Sequence, residues 1–345
     1  MKKEITIYDI AANVGLSPTT VSRALSNHPR VHETTRKKIM DAAKSLGYQS
    51  NIFASSLRKR KSKSIGVIVP RLNSPFQSSV LAGMEKIATQ SGYNLIISQS
   101  MESLDKEISN TAIMYNSRVD GLLVSKAGTT DDIDHFQPFF KKEIPVLFFD
   151  RAPDNNHCTG VVINNTQAIY DATEHLIKQG CKRIVHALGN LQINVYADRL
   201  KGYKYALMDH GFVFNSENVI SIELDEEAGE RIVKKILKMH PRPDGLLVSN
   251  DTSAASCLMA LKKRGIRVPQ DIAIVGFNND LISRMVEPHL STVNYPSYHM
   301  GEVAMKNLIN HLDDEHEEIL QKTNTITLRS ELIIRDSSKR HPDPT

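Results

Sequence analysis

The chain has 345 residues, 40% hydrophobic and 24% charged, with a formal net charge of +4. That length supports two or three domains with their own cores. No apolar run reaches the roughly 18 residues of a membrane span, MKKEITIYDI lacks the apolar centre of a signal peptide, and Cys158, Cys181 and Cys257 are too scattered for a disulfide framework or a metal site. A cytoplasmic protein is expected.

The charge is uneven. Residues 1–63 carry 13 Lys/Arg against 4 Asp/Glu, a net of +9, whereas the remainder is −5. A basic module on a mildly acidic body points to a polyanion as partner of the first part only.

The first elements come from TIYDIAANVGLSPTTVSRAL. Thr6 is a helix cap with Asp9 three residues on, and Ile7, Ile10, Ala11 and Val14 share one face. Gly15 suits the positive φ that ends a helix; Ser17 and Pro18 start the next. Val21, Ala24 and Leu25 turn back onto the first helix. The outer face then carries Pro18, Thr19, Thr20, Ser22 and Arg23, short or polar residues that can lie in a major groove. After the SNHPRV loop, Glu33–Leu46 reads as a third helix with Ile39, Ala42, Ala43 and Leu46 inward and Arg36, Lys37 and Lys38 able to reach phosphates. Ser50–Arg58 is too weakly apolar to bury itself, which suits either a linker or a helix that orders on DNA.

From Ser64 the texture changes. SIGVIVP is a buried parallel strand; a helix over Pro75–Ser91, the strand NLIISQS, a helix over Leu104–Asn116, the strand DGLLVSK, a helix over Asp131–Lys141 and the strand IPVLFFD follow. Alternating βα units imply a doubly wound parallel sheet. The pattern then returns: KRIVHAL, helices over Asp198–His210 and Ala228–Met239, and DGLLVS at 244–249, identical to 120–125. IAIVGFN parallels IPVLFFD, with offsets of 124 and 128 residues that nearly agree, so the body is read as two similar lobes. A turn at Tyr295–Pro296, a helix near Met300–Leu312 and the strands TITLR and LIIR follow, before a polar tail over Ser337–Thr345 that is expected to be loose.

Ligands bind beyond the carboxyl ends of such strands. Those ends hold Pro70–Phe76 with Asn73 among them, Lys126, Asp150 and Arg151, then Gly189–Asn194, Asn250, Asp251 and Asn278–Asp280. Asp150 and Asn278 occupy equivalent places in the two repeats and are expected to face each other across a cleft, with Arg199 beginning a nearby helix. Asp, Asn and Arg offer the donors and acceptors that suit sugar hydroxyls or the edges of a base.

These residues together resemble the LacI/GalR (lac repressor) family of bacterial transcriptional regulators, over residues 5 to about 338. The resemblance is carried by YDIAANVGLSPTTVSRAL, TRKKIMDAAKSLGY, the Asn51–Ala54–Leu57–Arg58 spacing, ATEHLIKQG, RLKGYKYAL, LLVSND, VPQDIAIVGFN and ELIIRDS. It implies an α/β fold: an N-terminal all-α helix-turn-helix domain plus a periplasmic-binding-protein type I body of two doubly wound α/β lobes. The implied boundaries are 1–49 for the DNA-binding domain, 50–63 for a hinge helix and linker, and 64–338 for the effector-binding body. Within the body the first lobe takes about 64–161 and 294–323, and the second about 165–291 and 326–338. Residues 339–345 are expected to be a disordered tail.

By the same resemblance, Pro18, Thr19 and Arg23 match base-reading positions and Thr20 and Ser22 phosphate contacts. Leu57 matches a leucine that wedges between base pairs in the minor groove. The expected DNA-facing set is completed by Thr6, Ser17, Asn27, His28, Asn51, Ala54 and Arg58, and the expected effector-binding set is Asn73, Phe76, Asp150, Arg199, Asn250 and Asn278. Departures from the family pattern are Ser50 for proline, Ser55 for arginine, and Asn164 and Asn278 where aspartates are common. A neutral Asn278 can donate as well as accept, which leaves room for a ligand other than a simple neutral sugar.

The implied function is a sequence-specific regulator, a repressor in kind, that binds a palindromic operator on nucleoid DNA as a homodimer under control of a small sugar-like effector. Alternatives are control by a nucleobase or by a partner protein, or a solute-binding transport protein, which the basic head argues against. With no GxSxG, GxGxxG, P-loop or HExxH pattern, no enzyme activity, cofactor or metal is expected.

Overall fold

The computed structural model describes residues 5–48, 62–130, 132–153, 158–313 and 325–340. The expected hinge positions Ser50, Asn51, Ala54, Ser55, Leu57 and Arg58 lie outside them. The chain divides into two compact units, 1–62 and 63–345.

Among its described residues the first unit has three helices: α1 (Ile7–Val14), α2 (Pro18–Leu25) and α3 (Glu33–Leu46). Asp9 starts α1 by accepting from both the backbone N and Oγ1 of Thr6, at 2.7 and 2.6 Å. Gly15, at φ 69°, ends it in the left-handed region where a side chain is strained. Ser17 Oγ accepts from Thr20 N at 3.1 Å to start α2. Ile10, Ala11, Val14, Val21, Ala24, Val31, Ile39, Ala42 and Ala43 form the core, with Leu25 and Leu46 at its edge. Val31, from the loop, is the core residue that helical periodicity alone does not reveal.

The second unit contains two six-stranded sheets. The first lobe runs β1 (Ser64–Val69), α4 (Pro75–Gln90), β2 (Asn94–Gln99), α5 (Leu104–Asn116), β3 (Gly121–Val124), α6 (Gln137–Phe140), β4 (Val146–Phe149) and β5 (Thr159–Ile163). The second runs α7 (Asn165–Lys178), β6 (Ile184–Leu188), α8 (Asn194–Asp209), β7 (Val219–Ser221), α9 (Ala228–Ile236), β8 (Gly245–Val248), α10 (Asp251–Lys262), β9 (Ala273–Asn278) and β10 (Ser291–Asn294). The chain then returns to add α11 (Ser297–Leu312) and β11 (Thr325–Leu328) to the first lobe and β12 (Glu331–Ile333) to the second.

The strand orders are β2-β1-β3-β4-β5-β11 and β7-β6-β8-β9-β10-β12. The two GLLV segments, β3 and β8, hold the same third place, and β4 and β9 the same fourth place, so the sequence repeat is a repeat of topology. The central strands are buried on both faces because helices cover them, hence their unbroken apolar runs. The lobes also share a packing device. A Cβ on Gly83 of α4 would meet Tyr298 O of α11 at 2.1 Å, and one on Gly202 of α8 would meet Thr166 O of α7 at 2.0 Å. In each lobe only glycine lets the two helices cross this closely.

Four expectations are corrected. The helix expected over Asp131–Lys141 is a 3-10 turn, Asp134–Phe136, followed by the short α6; Asp132 Oδ1 accepts from Asp134 N, making a turn first. The helix expected from Asp198 begins at Asn194, so Arg199 lies in its second turn and not at its start. Thr325–Leu328 pair in parallel with Gly160–Ile163, so the chain leaves the first lobe after Leu328, later than the boundary set at 323. The polar tail from Ser337 is ordered as far as Arg340. Ser337 Oγ donates to Ile274 O at 2.7 Å, and Arg340 Nη2 donates to Asp244 O at 2.7 Å. Those hydroxyl and guanidinium bonds satisfy buried backbone groups, which composition cannot reveal.

Candidate functional site

In the helical module, α2 presents Thr19 and Arg23 fully to solvent, with Pro18, Thr20 and Ser22 half-buried beside them. Val21 and Ala24 point the other way. Thr20 Oγ1 and Ser17 Oγ lie 2.8 Å apart, so the start of α2 is rigid. Thr6 and Asn27 are exposed; Asn27 has φ 55°, and His28 Nδ1 accepts from Arg30 N at 3.2 Å. Of the three basic residues opening α3, two serve the module itself. Arg36 Nη2 donates to His28 O and Val31 O, and Lys38 Nζ to Val14 O, the latter at the carbonyl end of α1. Thr19 and Arg23 are the long or exposed groups that α2 leaves uncommitted.

In the body, a cavity of about 750 Å³ opens between the carboxyl ends of the two sheets. Asn73, Phe76, Asp150, Arg199, Asn250 and Asn278 all line it. Asp150, just beyond β4, has φ 59°, and Asn278, ending β9, has φ 113°. Both equivalent strand ends therefore hold a non-glycine residue in a backbone conformation that costs energy, a feature concentrated at functional sites.

Asp150 is buried, and burial pushes its carboxyl above the usual range, opposed by the Arg151 charge and by hydrogen bonds. Tyr295 Oη donates to Oδ1 at 2.9 Å and Ser125 Oγ to Oδ2 at 3.3 Å. Arg151 is committed elsewhere: Nη1 and Nη2 grip Glu102 at 2.7 and 3.1 Å. That charge and those bonds hold Glu102 below its ordinary value despite burial.

Arg199 is buried against the opposite wall, its guanidinium 3.6 Å over the Phe277 ring and 5.4 Å from that of Tyr196. Nε donates to Asn165 Oδ1 and Nη1 to Ser249 O, both at 2.9 Å. Burial lowers its proton affinity. The planar group is clamped, and Nη2 makes no hydrogen bond to the described residues. Asn250 caps α10 through Ser253 N at 2.7 Å and donates to Leu224 O at 3.0 Å, so its amide is spent on the fold. Asn73 is exposed at the rim. Arg71 Nη2 joins Glu223 Oε1 at 2.7 Å, one from each lobe and both lining the cavity.

Residues 6–51 match the family model described as bacterial regulatory proteins, lacI family, and residues 173–338 match that of a periplasmic binding protein-like domain. The catabolite control protein A of Priestia megaterium is 33% identical over 312 residues, 90% of this chain and 93% of that protein. The chain belongs to the LacI family. A further relative, the HTH-type transcriptional repressor PurR of Aliivibrio salmonicida (strain LFI1238), is 29% identical over 313 residues, 91% of this chain and 94% of that protein. The lac repressor dimer bound to operator and the anti-inducer ONPF has the same fold, with a TM-score of 0.86 at 23% identity over 97% of this chain and 99% of that one.

As a LacI-family member the chain is a DNA-binding transcriptional regulator. Several groups that shape this regulator's cleft escape a reading of strand ends. Tyr295, read there as part of a turn, holds Asp150 and stacks on Phe76 with ring centroids 4.5 Å apart. Tyr196, Phe277 and Asn165 clamp Arg199. Asp251 and Lys126, both at strand ends, do not line the cavity. Asp251 turns into the core instead, accepting from Thr292 Oγ1 at 2.7 Å. Tyr295 follows the last residue of β10, and only that place at a strand end hints at its role.

Proposed function

We propose that this regulator acts as a homodimeric repressor: two copies of α2 read a palindromic operator through Thr19 and Arg23, and a small polar effector, sugar-like in its hydroxyls, binds between the lobes. The observation that carries the effector reading is the pairing of Asp150 and Asn278 at equivalent strand ends on one cavity, with Arg199 clamped in the wall of the same cavity and Nη2 uncommitted. A cavity of about 750 Å³ suits a mono- or disaccharide or a comparable ligand. Occupancy shifts the balance between two lobe arrangements, and by linkage operator and effector must alter each other's affinity by one factor.

The test is a thermal-shift screen against sugars, sugar phosphates, uronates and nucleobases. Operator fragments selected from random DNA are then titrated with and without each compound that shifts. The expected result is one chemical class that both stabilises the protein and changes its operator affinity. Arg199→Ala abolishes that response and leaves operator binding near normal. An unchanged response in Arg199→Ala rejects the cleft as the effector site. Shifts from nucleobases alone replace the sugar, and a shift only from a partner protein replaces the small molecule.

A further inference from the structure

Beyond β9 the chain turns through two left-handed residues, Asn278 and Asn279, at φ 113° and 58°. The turn sets the Asp280 carboxylate against the Asn278 side chain, and Asn278 Nδ2 donates to Asp280 Oδ2 at 3.2 Å. A carboxylate can only accept, so the reversed amide would oppose two acceptors; the chemistry decides which end is nitrogen. The other end, Oδ1, has no hydrogen-bond partner among the described residues and is not sealed from solvent.

The turn is not free to swing. Asp280 N donates to Asp251 Oδ2 at 2.7 Å, and Ser283 Oγ donates to Asp280 O at 2.7 Å. Between them Asn279 donates to Asn294 Oδ1 at 3.1 Å and accepts from Arg335 Nη2 at 2.8 Å. Asp280 does not itself line the cavity. Its effect on a ligand must pass through Asn278.

We propose that Asp280 is a positioning residue: by holding the Asn278 amide nitrogen it presents Oδ1 to the cavity, so the cleft selects an effector with a hydrogen-bond donor at that point. Asn278 then acts toward a ligand as an uncharged acceptor. The clamped Arg199 asks for an acceptor on the same ligand, so the matching chemistry is a hydroxyl or an N–H beside a hydroxyl or carbonyl oxygen. This rests on the cleft being the effector site, and the two arms of the test separate the claims.

The first arm needs no effector. Full-length protein is labelled with ¹⁵N-asparagine, and the Asn278 side-chain resonances are assigned by their loss in Asn278→Asp. Burial raises the Asp280 carboxyl to about 6, and the Asn278 bond pulls the other way. In the wild type the Asn278 Nδ2 signals are expected to move with pH around that value, and Asp280→Asn, which keeps shape and an acceptor, to abolish the movement. The neighbouring Asp251 carboxyl, raised by burial to about 8, gives a separate inflection that Asp280→Asn retains. Signals that stay still in the wild type over the whole range from about pH 3 to 7 overturn the proposal whatever the cleft binds.

The second arm is calorimetry with D-ribose, D-glucose and cellobiose, each beside its monodeoxyfluoro analogues, which accept but do not donate. The wild type is expected to discriminate against one fluoro analogue by about tenfold, the worth of one good hydrogen bond. In Asp280→Leu the freed amide can turn its N–H to the fluorine, and discrimination at that position shrinks to a few-fold at unchanged discrimination elsewhere. Equal discrimination in wild type and Asp280→Leu overturns the proposal. Wild-type protein that binds none of the three sugars overturns the sugar reading of the cleft, while moving Asn278 signals still uphold the Asp280 link.

Discussion

The Tyr295 hydroxyl donates to Asp150 Oδ1 at 2.9 Å, although 145 residues separate the two. Tyr295 stands just past β10, where the chain leaves the second lobe, and Asp150 lies just beyond the first lobe's β4. One hydrogen bond thus ties a lobe crossing to a cavity wall. Tyr295→Phe leaves a buried carboxylate short of a donor, which costs about 1–3 kcal/mol. Urea titration is expected to show that loss with an unchanged slope. The Phe76 ring contact survives in this variant, so a loss near zero would show that Asp150 is already satisfied by Ser125 Oγ and by Gln77 Nε2, which donates to Oδ2 at 3.5 Å.

Gly202 is expected to be intolerant of even one methyl group. Its Cβ would meet Thr166 O at 2.0 Å, and backbone cannot step aside as a flexible side chain can. Gly202→Ala should be net destabilising: forcing α7 and α8 apart at a backbone contact costs on the order of 3 kcal/mol or more, which outweighs the roughly 1 kcal/mol gained from helix propensity. Gly202→Ala melting at or above the wild-type temperature would refute the crossing geometry.

Asp251 should make stability fall as pH rises through neutrality. Burial raises its carboxyl to about 8, well above the unfolded value near 3.9. The folded state therefore holds the proton that the unfolded state has released, and the contribution, complete below about pH 4, is lost as pH climbs through about 8. Asp251→Asn mimics the protonated acid: Oδ1 accepts from Asp280 N and Nδ2 donates to Thr292 Oγ1. Between about pH 6.5 and 8 its melting temperature should be flatter than that of the wild type, a comparison that cancels the other titrating groups. Parallel wild-type and variant curves would place the Asp251 carboxyl at an ordinary value.

His186 works in the opposite direction. Burial in β6 lowers its ring to about 3, so the unfolded chain takes up a proton below about pH 6.5 that the folded one refuses. Stability should drop on acidification from about pH 6.5, and His186→Gln should soften that drop in a melting series. An unchanged acid limb would show that other groups carry it.

Arg23 is the exposed cation on the outer face of α2, and Thr19 its exposed neighbour one turn earlier. Arg23→Ala is expected to weaken operator binding on the order of tenfold to a hundredfold and to relax base preference at one position per half-site. Lys37→Ala should lower affinity for all sequences alike and reduce the salt slope. Both read out in fluorescence anisotropy over a range of salt. Equal effects of Arg23→Ala on specific and random DNA would remove it from base reading.

The local elements were legible because their causes are local. Thr6–Asp9, Gly15 and Ser17–Pro18 set the ends of α1 and α2 through caps and positive φ, and two GLLV runs announced two lobes. The strand-end rule also placed Asp150, Asn278 and Arg199 on one cavity. Composition misled where polar residues are satisfied by distant partners. Ser337–Arg340 looked like a loose tail because hydroxyls bonded to Ile274 and guanidinium bonded to Asp244 leave no mark in the neighbouring sequence.

By itself, then, the order of residues determined periodicity, caps, the repeat and the strand ends, all of which depend on neighbours within a few positions. Tertiary structure alone decided which of the strand-end groups remain available. Asn250 donates to Leu224 O, Asp251 faces the core, Arg151 is neutralised by Glu102, and Arg199 is clamped through Nε and Nη1 with Nη2 unused among the described residues. The reason is that a hydrogen bond or ion pair depends on distance in space, and the partners here are 29 to 145 residues away in Asp280–Asp251 and Tyr295–Asp150. A residue's type says what it can donate or accept; only the packed chain says what it has left to give.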